Sequence, residues 1–163
     1  MRPIRILDID NVLSDDEWRI TLIHWDKSCP TERYHDYHLA SAFDRAVNQR
    51  LLSEYSDRNI LFTAMPERYR TLRAMWLNTN RLGYGQMLMR ANDDHRPSDL
   101  IKRDMLFSLF SQGYTHADVE LACDDREDVL SMYMLHGIST TRVIRVHDSC
   151  AYTNPRGTKN AVR

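Results

Sequence analysis

The chain has 163 residues, 42% of them hydrophobic and 28% charged, with a formal net charge of -1. This is the size of one domain with one core, and the recurring apolar residues with few Pro and Gly exclude a disordered chain. The near-zero net charge excludes the global basic field that drives non-specific nucleic-acid binding, although 22 Lys+Arg against 23 Asp+Glu leave room for a local basic surface.

Short β-type runs alternate with longer helical ones. Ile4 to Ile9 is the first run, apolar except for Arg5 and Asp8; Asn59 to Ala64, Gln86 to Arg90, Val119 to Cys123 and Thr141 to Val146 follow. Runs this short, and apolar on both faces, suit the buried strands of a parallel sheet. Between them, His38 to Tyr55 places Leu39, Phe43, Val47, Leu51 and Leu52 on one stripe and predicts a helix. Pro66 suits the first turn of a second helix running to about Leu82, through Tyr69, Leu72, Arg73, Met75, Trp76 and Leu77. Pro97 opens a third, which Gly113 can end, and Glu127 to His136 is a fourth, closed by Gly137. The alternation predicts a three-layer α/β sandwich around a central, mostly parallel sheet with right-handed crossovers.

The domain is expected to cover residues 1–151, leaving a polar tail at 152–163 that should fray. Residues 14–37 break the alternation. Rich in aromatic and charged side chains and without a clear period, they predict a small flap over the C-terminal end of the first strand, the edge where open α/β sheets bind ligands. Cys29, Cys123 and Cys150 are far apart and form no CxxC, so a disulfide framework or a thiolate zinc site is not expected. His24, His35 and His38 are too loosely spaced to replace it. With no apolar run long enough for a signal peptide or a membrane span, a cytoplasmic location is expected, in a bacterium or a phage-infected host.

The first strand ends in Asp8-Ile9-Asp10-Asn11-Val12-Leu13. Two carboxylates this close at a strand's end resist burial unless a cation relieves their repulsion, although an ordinary acidic turn is the competing reading. The second strand ends in Thr63, whose hydroxyl, with adjacent N–H groups near a helix start, can hold a phosphate oxygen. Lys102 lies in the helix after the third strand, and by itself would be read as a solvated lysine. Asp124-Asp125 closes the fourth strand and supplies a second acid pair at the same sheet edge.

In that order the residues resemble the haloacid dehalogenase (HAD) superfamily of phosphotransferases, over Ile4 to about Asp128. The resemblance implies an enzyme, a phosphoric monoester hydrolase, in which Asp8 attacks phosphorus and Asp10 acts as acid and then base. It implies Mg²⁺ at Asp8, Asp10 (through its carbonyl), Asp124 and Asp125, with Thr63 and Lys102 on the phosphoryl oxygens. The acid two residues after the nucleophile favours a phosphatase over a dehalogenase, and the short flap disfavours a phosphomutase.

Leu61 to Leu77, LFTAMPERYRTLRAMWL, is similar to the phosphatase half of phage polynucleotide kinase-phosphatases, and so is Ala122 to Arg126 with Val129 and Met132. Met65 stands where those proteins usually carry Arg, and Asn11-Val12 replaces their Gly-Thr. No Gly-Lys-Ser/Thr phosphate loop occurs in these residues, so a kinase half is not expected. Asn11, Ala64, Arg68, Arg70, Arg90 and Arg96 are the further candidate substrate contacts. In the flap, Tyr34 and His35 are candidates for contact with a nucleotide, while Trp18 and Trp25 are read as packing residues. The expected substrate is a phosphate on a nucleic-acid end, of the 3′ type. A free nucleoside monophosphate is the alternative, and a non-catalytic nucleotide-binding module on the same fold the second alternative.

Overall fold

The computed structural model describes residues 3–53, 57–144, 151–153 and 159–161. In chain order the elements are β1 (Ile4–Leu7), β2 (Ser14–Asp15), a 3₁₀ turn at Glu17–Leu22, α1 (Pro30–Arg33), α2 (His35–Leu39), a 3₁₀ turn at Ala40–Phe43, β3 (Arg45–Ala46) and α3 (Arg50–Ser53). There follow β4 (Asn59–Pro66), a 3₁₀ turn at Glu67–Tyr69, α4 (Arg70–Thr79), β5 (Gln86–Arg90), α5 (Ser98–Ser111), a 3₁₀ turn at His116–Asp118, β6 (Val119–Asp124), α6 (Glu127–Leu135), β7 (Thr140–Ile144), β8 (Ala151–Thr153) and β9 (Lys159–Ala161).

The main sheet has the order β5-β4-β1-β6-β7-β8-β9. Pairing is parallel from β5 through β7, giving the expected central parallel sheet of an α/β fold. β1 is central, so its side chains are enclosed on both faces. Ile4 and Ile6 pack with Ile60 and Phe62 of β4 against α5 and α6. Leu7 and Ile9 pack with Leu61 against Trp76 and Leu77 of α4. The two faces follow from the period-2 alternation of a strand, and the helices meet them with matching stripes. In α5 the stripe is Ile101, Met105, Leu106 and Leu109; in α6 it is Val129, Met132 and Tyr133. Gly113 and Gly137, with φ of 95° and 73°, end these two helices in the left-handed conformation that glycine tolerates best.

Three expectations are corrected. His38 to Tyr55 is not one helix: it is broken into the end of α2, a 3₁₀ turn, β3 and α3, with Tyr55 outside the described residues. Phe43, on the stripe that suggested a helix, is 81% exposed, and Asn48 has φ of 52°, which an α-helix does not accept. The insertion after β1 extends beyond Tyr37, because β2 and β3 pair antiparallel through Ser14–Ala46 and Asp15–Arg45 and close it there. Finally, α4 begins at Arg70 rather than Pro66, since Pro66 is still held in register with Arg90 of β5.

In the segment expected to fray, β8 pairs antiparallel with β7, and β9 with β8. Val146 and Cys150 lie outside the described residues. No helix of the described residues is long and apolar enough to cross a membrane.

Candidate active site

Parallel pairing of β1 with β6 brings Asp8 beside Asp124, and the Asp8 amide donates to the Cys123 carbonyl at 3.0 Å. Asp125 follows at once, and carboxylate oxygens of Asp8, Asp124 and Asp125 all lie within 4.8 Å of one another. Lys102 enters from α5 as a buried ammonium, its Nζ 2.9 Å from Asp8 Oδ2 and 2.7 Å from Asp124 Oδ2. Burial pushes the Asp8 pKa well up, with Lys102 opposing and the neighbouring acids adding to the rise. Asp125 is raised too, by burial and then by Asp124. Lys102 moves upward, because Asp124 and Asp8 outweigh its desolvation. Three crowded carboxylates facing one ammonium leave an excess of negative charge on hard oxygens, the donor set that suits a divalent cation such as Mg²⁺.

After β1 the chain turns sharply. Asn11 adopts φ of 63°, and its Nδ2 donates to Asp125 Oδ2 at 2.8 Å. Asp10, beyond Ile9, faces two buried arginines. Arg19, from the insertion, and Arg73, from α4, both donate to Asp10 Oδ1. Both also pair with buried Asp44: Arg19 Nε at 2.9 Å and Arg73 Nη1 at 3.3 Å. Burial alone would raise the Asp10 pKa, but Arg73 and Arg19 outweigh it and hold it at about 2. Among the described residues Asp10 Oδ2 accepts no hydrogen bond, and the side chain keeps 21% exposure.

These groups open into a cleft of about 500 Å³. Asp8, Asp10, Asn11, Tyr34, Ala64, Arg68, Arg90, Lys102 and Asp125 of the expected residues line it. Asp124 and Thr63 lie beneath the surface, each almost wholly enclosed. The Thr63 hydroxyl accepts from the Met65 amide at 3.0 Å, and a register shift in the β4–β5 ladder after Thr63 turns Ala64 and Met65 to the cleft.

Three candidates lie elsewhere. Arg70 pairs with Glu67 and donates to the Met87 carbonyl, which holds it along β5. Arg96 is bound by Asp94 and Asp104. His35 is exposed and hydrogen-bonded to Tyr69 Oη at 2.8 Å. The tryptophans are more exposed than a packing role predicts: Trp18 donates its indole N–H to Asp44, and Trp25 meets Tyr34 edge-on.

The phosphatase domain of polynucleotide kinase PNKP is the family model that matches, over residues 3–147. The chain belongs to this family. It is a HAD-type phosphatase, and its fold agrees with that of solved relatives. Two structures of Pnkp1/Rnl/Hen1 complexes, one described as an RNA repair complex, match at 20% and 19% identity with TM-scores of 0.68 and 0.67. They cover 88% and 87% of this chain but 42% and 45% of theirs, so the chain spans under half the length of those relatives. A HAD-superfamily hydrolase of subfamily IA from Geobacter sulfurreducens matches at 13% identity and TM-score 0.56, covering 85% of each chain. A comparison with curated protein sequences gave no match.

In this phosphatase the residues that sequence reasoning passed over are Arg19, Asp44, Arg73, His38 and Arg126. Arg73 carried a signal, being a charged residue on the apolar stripe of α4 between Tyr69 and Trp76. Asp44 did not, because it lay inside the mistaken helix. His38 lines the cleft among Tyr34, Tyr37 and Tyr69, and burial pushes its pKa down to about 3.

Proposed function

We propose that this phosphatase removes a terminal phosphate from a nucleic-acid end, of the 3′ type, through an aspartyl-phosphate on Asp8. The observation that carries the reading is the division of labour between the two aspartates. Asp8 is held by Lys102 among the acids, whereas Asp10 is fixed through Oδ1 by Arg19 and Arg73 with Oδ2 left toward the cleft.

An Asp8 oxygen forms a bond to phosphorus as the bond from phosphorus to the leaving oxygen breaks; Asp10, ionised beside Arg19 and Arg73 in the free protein, takes up a proton when the phosphate dianion binds against it and passes that proton to the leaving oxygen. A water then attacks the phosphorus of the aspartyl-phosphate, Asp10 takes its proton, and the Asp8 carboxylate is released. Lys102 offsets charge on Asp8 and on the phosphoryl oxygens, with the Thr63 hydroxyl and the backbone at Ala64 beneath them. Mg²⁺ held by Asp8, Asp124, the Asp10 carbonyl and Asp125 would supply further charge neutralisation.

The family's name supports a polynucleotide end, and the cleft adds aromatic and arginine side chains beside the acids, the combination that binds single strands. The test is phosphate release from 3′- and 5′-phosphorylated oligonucleotides, the corresponding mononucleotides and a sugar phosphate. Expected is Mg²⁺-dependent turnover, highest on the 3′-phosphorylated oligonucleotide and absent in Asp8→Asn. Equal or better turnover of mononucleotides moves the substrate to free nucleotides, and metal-independent turnover or an active Asp8→Asn defeats the mechanism.

A further inference from the structure

The arginines around the cleft differ in how well they are neutralised. Arg126 pairs with Asp128 at 2.6 Å, Arg68 donates to the Asn92 carbonyl at 2.7 Å, and Arg33 to the Lys27 carbonyl at 2.9 Å. Arg90, like Arg33, holds only a carbonyl, but of these four it alone has a buried donor left over. The acid that acts on it, Asp94, has both carboxylate oxygens taken by Arg96. Arg90 keeps only the Asp94 backbone carbonyl, at 3.2 Å, and its Nε is buried with no hydrogen-bond partner among the described residues. Burial and neighbouring Arg126 both disfavour its charge. A partly buried guanidinium with unused donors, on the wall of a cleft, is a site that an anion would complete.

That anion is not the phosphate under attack. Arg90 closes β5, two strands from β1 in the sheet, so its backbone is set roughly 10 Å across from that of Asp8. The charges that act on it are those of Asp94 and Arg126, with the Tyr34 side chain beside it and His38 between it and Asp10; neither Asp8 nor Lys102 is among them. Tyr34 also lines the cleft, so an aromatic face and a cation share this part of it.

We propose that Arg90 binds the phosphodiester next to the terminal phosphate, and thereby selects a polynucleotide over a mononucleotide. The proposal rests on the reading of this cleft as a nucleic-acid phosphatase site. The fork of donors takes the diester oxygens, and Tyr34 lies against the adjoining nucleotide.

Arg90→Gln should lower kcat/KM at least tenfold more on a 3′-phosphorylated oligonucleotide than on a 3′-mononucleotide, with the loss carried by KM. The salt dependence on the oligonucleotide should weaken, its slope falling by about 0.7 for one lost single-strand phosphate contact. A methylphosphonate at the penultimate linkage should reproduce the loss in the wild type and add nothing in Arg90→Gln. Equal losses on both substrates, or additive losses from variant and methylphosphonate, overturn the proposal. Anisotropy of the labelled oligonucleotides on Asp8→Asn, with and without Arg90→Gln, separates the two readings. Binding sensitive to Arg90 and to the methylphosphonate without wild-type turnover supports the diester contact while defeating the proposed activity; insensitive binding defeats the contact.

Discussion

Arg19 and Asp44 stand 25 residues apart in the insertion, yet both side chains are wholly enclosed and pair through Nε and Oδ1 at 2.9 Å. Their pair joins that of Arg73 and Asp10, so two cations and two anions balance in one buried cluster. This ties the insertion to α4 and to the turn after β1, and it holds Asp10 by Oδ1. Removing one partner from such a cluster leaves an uncompensated buried charge, which costs about 3–5 kcal/mol. Asp44→Ala is therefore expected to lower the stability by that order in urea unfolding, although Asp44 is outside the cleft.

Lys102 lies on oxygens that the proposed cation would also use. It lies on Oδ2 of both Asp8 and Asp124, and without it three carboxylates face one another. Lys102→Met should cut phosphate release by two orders of magnitude or more, since a charge on the transferring group is lost. The same variant should bind Mg²⁺ more tightly than the wild type. In thermal melts its Tm without metal should be lower, and its gain on adding Mg²⁺ larger. A smaller gain would place the cation elsewhere.

The sheet and the acids were legible in the sequence because they depend on local pattern. Apolar runs of strand length gave the strands, and the positions of Asp8, Thr63, Lys102 and Asp124-Asp125 relative to them marked the sheet edge where these residues gather. What was not legible depends on tertiary contact. The residues from Leu39 to Leu51 carry a helical stripe, but Asp44 turns inward to Arg19 and Arg73, and the chain around it breaks to allow this. Arg70, Arg90 and Arg96 looked equivalent as candidates; only the placement of Glu67, Asp94 and Asp104 shows which of them is spoken for.

His38 predicts a pH effect with a definite sign. Burial holds the folded pKa near 3, below the ordinary value of 6.5, so protonation favours the unfolded chain. Its contribution is complete above about pH 6.5 and falls as the pH drops toward 3. Because the ring is only partly covered, the loss between pH 7 and 5 should be about 1–2 kcal/mol. Asp8 and Asp125, whose pKa values are raised, act in the opposite direction, so the comparison must be with His38→Gln. That variant should lose less stability than the wild type over the same range in urea titrations. Parallel losses would show that the imidazole is not buried in its neutral form.

Asn11 does two things, and substitutions can separate them. Its backbone is left-handed, and its side chain holds Asp125 Oδ2. Asn11→Gly accepts the positive φ without strain but gives up the hydrogen bond. It should fold with near-normal stability and bind Mg²⁺ several-fold more weakly, because Asp125 is no longer oriented. Asn11→Val loses the hydrogen bond and also forces a β-branched residue into that conformation, at about 1–3 kcal/mol. Calorimetric Mg²⁺ titration with urea unfolding of both variants distinguishes the effects. Normal metal affinity in Asn11→Gly would show that the turn, and not the amide, is what the site requires of this position.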